Sequence, residues 1–96
     1  MSRKIIAGNW KMNLLHQEAQ ELLQATNVYL NELNPQKIEV VVSPNFTQLE
    51  MALHSSTHKK LNVAAQNMAA EDFGAFTGEV SGKMLADIGI DIVILG

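Results

Sequence analysis

Residues 5–13 read Ile5-Ile6-Ala7-Gly8-Asn9-Trp10-Lys11-Met12-Asn13, a short apolar run that stops at a glycine and continues into a polar segment. The apolar part predicts a β-strand, because short β-branched runs bounded by glycine are typical of strands. The part from Gly8 onward predicts a loop. A helical pattern starts directly after it, so the chain opens with a strand–loop–helix unit.

An amphipathic helix of about five turns is predicted after this loop. Asn13 is its predicted N-cap, and Asn34-Pro35 predicts where it stops. Apolar residues recur at helical spacing between glutamine and glutamate side chains, at Leu15, Ala19, Leu22, Leu23, Leu30 and Leu33.

The second cycle begins with residues 38–42, a nearly continuous β-branched run that predicts a strand broken by Ser43-Pro44. Phe46, Leu49 and Leu53 follow at steps of three and four residues, which predicts a helix.

Residues 61–65 predict a third strand, and the segment 66–80 after it shows neither a strand period nor a helix period. Ser81 is the predicted cap of a short helix, which Gly89 closes in the left-handed conformation that glycine tolerates. Residues 90–95 predict a fourth strand. One face of the short helix is expected to carry Met84, Leu85 and Ile88.

Alternating strands and helices predict an α/β fold with a parallel sheet and right-handed crossovers. With 96 residues, 47% of them apolar, the chain has the size of one domain, residues 1–96, and no second domain is expected. A fourth strand as apolar as residues 90–95 requires cover on both faces. We therefore expect the sequence to be the beginning of a larger domain.

The composition argues against several classes of function. The net charge is −3, and the basic runs Arg3-Lys4 and Lys59-Lys60 are too short to follow a nucleic-acid backbone. The sequence has no cysteine, so no disulfide or thiolate site is expected. Its first apolar run is too short for a signal peptide or a membrane span, which makes a soluble cytoplasmic protein the expectation.

No metal site is expected at the histidines. His54 and His58 are four residues apart, but Ser55-Ser56-Thr57 between them predicts that the helix ends there. Solvated histidines near the negative end of a helix dipole explain the pair. His16, in the first helix, is expected to be exposed.

Asn9 and Lys11 are the first candidates for chemistry. They follow the first strand, and ligands of parallel α/β folds bind at the carboxyl ends of strands. If the stretch is extended, residues two apart point the same way, so an amide and an ammonium can meet one small anion. A surface lysine beside a turn-forming asparagine also explains the pair and is the commoner arrangement.

The segment 66–80 is longer than the roughly 2 to 6 residues usual for a connection between a strand and a helix. Phe76 lies between Gly74 and Gly78, with too few glycines for a nucleotide-binding fingerprint. The aromatic tip suggests insertion into a partner. A loop that packs on its own phenylalanine explains the same residues.

Residues 7–13 closely resemble the end of the first strand in the triosephosphate isomerase family. Ala65-Gln66-Asn67, residues 74–81 and Ile92-Val93-Ile94-Leu95-Gly96 resemble later segments of that family in the same order and spacing. The family is a (β/α)8 barrel of roughly 250 residues. The resemblance implies that this chain is the first half of the barrel: three βα units plus the fourth parallel strand.

The resemblance implies an isomerase that interconverts dihydroxyacetone phosphate and glyceraldehyde 3-phosphate through an enediolate, in glycolysis and gluconeogenesis, without a cofactor. Asn9 and Lys11 would bind this phosphorylated substrate and act electrostatically in catalysis. The family's histidine electrophile would follow Gly96, and its glutamate base would lie much further on. The 96-residue chain by itself is therefore expected to be inactive.

The resemblance also implies a homodimer in the full-length protein. Its interface would include Met12, Gln66, Phe76 and Thr77, with Thr77 reaching toward Asn9 of the partner subunit. A second hypothesis is a free-standing α/β module that binds a small anion through Asn9 and Lys11 without catalysis.

Overall fold

The structure, a computed structural model, describes residues 3–96. Strands and helices alternate along the chain, which confirms the predicted α/β class. A short 3₁₀ turn, Phe46–Gln48, precedes the second helix. The elements are β1 (Lys4–Asn9), α1 (His16–Leu33), β2 (Ile38–Ser43), α2 (Leu49–Ser55), β3 (Leu61–Val63) and α3 (Gly82–Asp87).

The three strands form one parallel sheet in the order β1-β2-β3. In the first pair, Lys4 lies opposite Ile38 and Asn9 opposite Ser43. The second pair is shorter and ends with Val42 opposite Val63. Because the strands are parallel and in this register, their carboxyl ends lie at one edge of the sheet.

The predicted fourth strand, residues 90–95, is present as a single parallel bridge rather than a ladder. Val93 bridges to Ala65, whose N–H donates to Ile92 O at 2.9 Å and whose carbonyl accepts from Ile94 N at 2.9 Å. The segment therefore lies beside the third strand in the expected direction. Ala65 itself lies two residues beyond the end of β3.

Helix α1 begins at His16, two residues later than the start at Leu14 that a cap at Asn13 predicts. Leu15 occupies the N-cap position, and its N–H donates to Glu18 Oε1 at 3.0 Å. The Asn13 amide instead donates to Trp10 O at 2.8 Å and closes a turn in the preceding loop. The predicted stop is confirmed, since Asn34 takes a left-handed conformation at the C-cap with φ of 42°.

The buried face of α1 is narrower than the predicted apolar stripe. Ala19, Leu23, Asn27 and Leu30 are buried, whereas Leu15, Leu22 and Leu33 are exposed. No helix within residues 3–96 is long and apolar enough to cross a membrane. The core lies between the helices and the sheet and contains Leu23, Leu30, Val42, Leu49, Ala52, Leu61, Val63, Ala65, Leu85 and Ile90.

Asn27 is a polar residue on this buried face, and it joins α1 to the end of α2. Its amide nitrogen donates to Ser55 O, and its oxygen accepts from Thr57 N at 3.1 Å and His58 N at 3.2 Å. Ser55 O is one of the carbonyls that α2 leaves unpaired at its C-terminus, and Thr57 and His58 follow directly after the helix. Asn27 therefore caps α2 from a neighbouring helix.

The ends of the later helices agree with the sequence. Ser81 caps α3, its hydroxyl accepting from Met84 N at 3.2 Å, and Gly89 follows with φ of 100°. Of the predicted apolar face, Leu85 is buried, Ile88 is half-buried and Met84 is exposed.

The histidines lie as the sequence suggested. Helix α2 ends at Ser55, so His54 and His58 do not share a helix face. The His58 ring accepts from Lys60 N at Nδ1 (3.0 Å), and His16 is exposed.

Strand β1 is the least covered element of the sheet. Successive side chains of a strand point to opposite faces, and Ile5 and Ile6 are 63% and 57% exposed. Neither face of β1 is therefore covered by the residues that the structure describes. The helices and the core lie instead over β2 and β3.

We expect Asn27→Ala to lower the free energy of unfolding of the whole protein by about 2–4 kcal/mol, because it removes three partly buried hydrogen bonds to backbone groups at and just after the end of α2. Urea unfolding followed by circular dichroism at fixed protein concentration measures this change. Asn31→Ala, one turn further along α1 at an exposed position, is the matched control and should change stability by about 0.5 kcal/mol or less. Equal effects at the two positions would contradict the capping role.

Candidate functional site

The carboxyl ends of the strands bring Asn9, Ser43 and Gln66 together. Asn9 and Ser43 are partners in the β1–β2 register. The buried Ser43 carbonyl accepts from Trp10 N at 3.1 Å and from the Gln66 side-chain amide at 2.7 Å. The same amide nitrogen donates to Lys11 O at 2.8 Å. One carbonyl and one amide thus link the loop after β1 to the ends of β2 and β3.

Lys11 has a left-handed backbone conformation, with φ of 55°. A side chain with a Cβ atom is disfavoured there by about 1–2 kcal/mol, so neighbouring contacts must hold it. Asn9 Oδ1 accepts from Lys11 N at 2.9 Å, which closes a turn of the type that asparagine forms with the residue two positions on. The condition of an extended stretch is therefore not met by residues 9–11, because the backbone turns as soon as β1 ends at Asn9.

This turn still leaves an amide donor and a cation available at the sheet edge. Asn9 uses its Oδ1 for the turn, and its Nδ2 donates to no acceptor among residues 3–96. The side chains of Asn9 and Lys11 are both exposed, and no carboxylate in the described part of the chain forms an ion pair with Lys11. A bound anion would meet a full positive charge that no protein group neutralises.

A second left-handed residue, Leu14 with φ of 71°, lies at the far end of the same loop. Its carbonyl accepts from the side chain of the buried Gln48 at 2.8 Å. The loop therefore has two disfavoured residues, and each has its carbonyl bound by a glutamine from a later βα unit.

These two contacts within the chain have only weak signals in the sequence. Gln66 directly follows the third predicted strand, so the convergence of parallel strand ends could have placed it beside Lys11. Gln48 lies between the apolar Phe46 and Leu49, and a polar residue inside an apolar segment is a weak signal. Neither signal predicts which carbonyl the glutamine binds.

The segment 66–80 forms a projecting loop with a closed base. Ala69 N donates to Val80 O at 2.7 Å, and Ala69 bridges to Ser81. Residues 70–79 are all exposed. Phe76 lies over Gly74, where a Cβ atom would come within 2.7 Å of the ring. The loop thus packs on its own phenylalanine, half of whose surface stays exposed.

Comparison with known proteins adds to this geometry. The family model described as Triosephosphate isomerase matches residues 4–96. The chain belongs to the triosephosphate isomerase family. A triosephosphate isomerase of Acetivibrio thermocellus is 48% identical and covers 100% of the chain. One from Mesomycoplasma hyopneumoniae is 45% identical over 98% of it, and one from Nostoc punctiforme is 43% identical over 100%.

The chain spans about two fifths of the length of these triosephosphate isomerases, 38%, 40% and 39% respectively. The parallel order β1-β2-β3 and the bridge at Val93 agree with the N-terminal half of a triosephosphate isomerase barrel. The fold predicted from the resemblance is therefore confirmed at the level of class and strand direction.

The residues that the triosephosphate isomerase resemblance assigns to a dimer interface differ in exposure. Met12 is 93% exposed, and Phe76 and Thr77 lie on the exposed part of the projecting loop. Gln66 is half-buried, and both hydrogen bonds of its amide nitrogen are made within its own chain. The interface itself stays a prediction.

We expect Lys11→Ala to be less stable than Lys11→Gly by about 1 kcal/mol, because glycine adopts a positive φ without steric conflict. Chemical unfolding of the two variants gives this difference directly. The same pair at Lys37, whose φ is not positive, is the control and should show no advantage for glycine. A Lys11→Ala variant as stable as Lys11→Gly would contradict the left-handed conformation.

Proposed function

We propose that the whole protein is a triosephosphate isomerase, which interconverts dihydroxyacetone phosphate and glyceraldehyde 3-phosphate through an enediolate. The observation that carries this proposal is the turn at the end of β1. In this member of the family, Lys11 is exposed, forms no ion pair within residues 3–96, and has a left-handed conformation beside the amide of Asn9. A fixed cation and an amide donor at the carboxyl edge of a parallel sheet suit a small phosphorylated substrate.

Each of the two side chains has a role in this proposal. Lys11 attracts the anionic substrate and stabilises the negative charge that develops as the enediolate forms. Asn9 donates from Nδ2 toward the oxygen atoms of the reacting carbon chain, while its Oδ1 holds Lys11 N. Both groups act electrostatically, so they need a defined position and not a change of protonation.

The proton transfers require an acid and a base in addition to these residues. In the family, a histidine after the fourth strand and a more distant glutamate have these roles, and we propose that the whole protein supplies both. General acid and base groups each contribute typically about 10² to 10⁴ in rate. A polypeptide of residues 1–96 alone is accordingly proposed to lack measurable isomerase activity.

The proposal includes a homodimer, with Met12, Gln66, Phe76 and Thr77 at or near its interface. The exposure of Met12 and the projection of residues 70–79 support this arrangement. We place the enzyme in the cytoplasm, where the triose phosphates of glycolysis are interconverted, and assign it no cofactor.

A coupled assay of the whole protein with each triose phosphate in turn tests the reaction. Turnover in both directions is the expected result. A protein that binds inorganic phosphate through Lys11 without turnover would instead be the non-catalytic anion-binding module. Isothermal titration with phosphate, on the parent protein and on Lys11→Met, separates the two functions.

Replacing Lys11 by Met in the whole protein should lower kcat/KM by about 10² to 10³, because the stem length is kept while the cation is removed. The unfolding midpoint and the sedimentation coefficient should not change. Lys37→Met is the matched control, since Lys37 precedes β2 at the opposite edge of the sheet and should retain full activity. A Lys11→Met protein that dissociates or keeps its activity would refute the assigned role.

Replacing Thr77 by Arg should weaken the dimer, because a charge buried without a partner at an interface costs several kcal/mol. Activity should fall as the dimer dissociates and recover partly at high protein concentration. Thr57→Arg, at an exposed threonine outside the projecting loop, is the control. Sedimentation that finds an intact, fully active Thr77→Arg dimer would remove Thr77 from the interface.

A further inference from the structure

We infer that Gln66 is a positioning residue for Lys11: its side-chain amide holds the strained backbone of Lys11 and thereby places the ammonium group at the site. The inference rests on the proposed function, because it assigns Gln66 a part in the electrostatic role given to Lys11. The contact lies within one chain and does not depend on a partner subunit.

Hydrogen bonds hold both the backbone N–H and the backbone carbonyl of Lys11. Asn9 Oδ1 accepts its N–H at 2.9 Å, and Gln66 Nε2 donates to its carbonyl at 2.8 Å. The first contact is local, between the last residue of β1 and a residue two positions on, and it holds only the N–H of Lys11. The second comes from a residue 55 positions later in the sequence, so it ties the loop to the rest of the fold.

Gln66 is itself anchored, which makes it a reference point for the loop. Its amide nitrogen also donates to Ser43 O at 2.7 Å, and Ser43 is buried at the end of β2. Ala65, the preceding residue, is fully buried in the core and bridges to Val93. The position of the amide is therefore set by the sheet, and Lys11 takes its position from the amide.

The left-handed conformation explains why this anchor is needed. For a residue with a Cβ atom, other backbone conformations are favoured over the left-handed one by a population ratio of roughly ten. Lys11 is exposed, so water would replace the lost bond to its carbonyl and would not hold the backbone in place. Without the Gln66 amide, we expect the loop to relax and the ammonium to occupy several positions.

Gln48 provides a contrast within the same loop. It binds the carbonyl of Leu14, the other left-handed residue, but Leu14 has no charged or hydrogen-bonding side chain. Loss of the Gln48 contact would loosen the loop three residues from Lys11. Loss of the Gln66 contact would release the residue that carries the charge. Comparing variants of the two glutamines therefore distinguishes an effect of loop order from an effect of the position of the Lys11 charge.

The test uses Gln66→Met and Gln66→Glu in the whole protein, since both keep the approximate side-chain length and neither donates an N–H. Each should lower kcat/KM for the triose phosphates about tenfold at a temperature where circular dichroism shows the protein fully folded. Gln36→Met is the control. Gln36 also donates its amide to a carbonyl, that of Asn34 at 3.2 Å, in an exposed turn away from the site.

A double-variant cycle with Lys11→Met shows whether Gln66 acts through Lys11. If it does, Gln66→Met lowers kcat/KM less than twofold when the lysine is already absent, while its effect on stability stays the same in both backgrounds. A further tenfold loss in the Lys11→Met background would overturn the inference. So would an unchanged kcat/KM in the single Gln66 variants.

A structural measurement keeps this result distinct from the proposed function. NMR chemical shifts and the amide–Hα coupling of Lys11 report its φ angle in the parent and in Gln66→Met. If Gln66 positions Lys11, the φ angle of Lys11 is positive in the parent and is averaged over several conformations in Gln66→Met. If the parent catalyses no isomerisation, the proposed function fails, and the NMR comparison alone decides the positioning. An unaltered Lys11 backbone in Gln66→Met would overturn it.

Discussion

The parallel pairing of β1 with β2 is the constraint on which the site depends. It sets Asn9 opposite Ser43 and so brings the loop after β1 to the end of β2. The Ser43 carbonyl then receives donors from Trp10 and from Gln66, which follows the third strand. A shift of this register by one residue would move Trp10 N away from the Ser43 carbonyl and the Lys11 carbonyl away from the Gln66 amide. The loop would then lose its attachment to the sheet, and Lys11 would lose the support of Gln66.

In the proposed function, the positive charge of Lys11 can attract an anion because no carboxylate of the described residues neutralises it. The Lys11 ammonium has no carboxylate partner among residues 3–96, and its backbone is held by neutral amides from Asn9 and Gln66. Neutral donors and acceptors fix geometry without cancelling charge, so the full attraction for an anion remains. In the proposed function, an aspartate in place of Asn9 could still accept from Lys11 N, but its charge would compete with the substrate. A glutamate in place of Gln66 could not donate to Lys11 O at all.

Elements with local signals were predictable from the sequence, and those set by distant contacts were not. Ser81 as a cap and Asn34 as a helix end follow from residues a few positions away, and both are confirmed. The N-cap at Leu15 was missed because Asn13, the better capping residue by type, bonds to Trp10 instead. The polar anchor Asn27 lies in an apolar stripe, and its partners are 28 to 31 residues away.

The same distinction holds at the site. The resemblance and the rule for strand ends located Asn9 and Lys11, but the left-handed turn that joins them could not be read from alternation along a strand. The contact from Gln66 to Lys11 spans 55 residues, and two parallel pairings must form before its ends can meet. Contacts of long sequence separation form slowly, because the chain between them must first be ordered. We therefore expect the sheet to form before the site, so that a partly folded chain would have paired strands while Lys11 is not yet held in position.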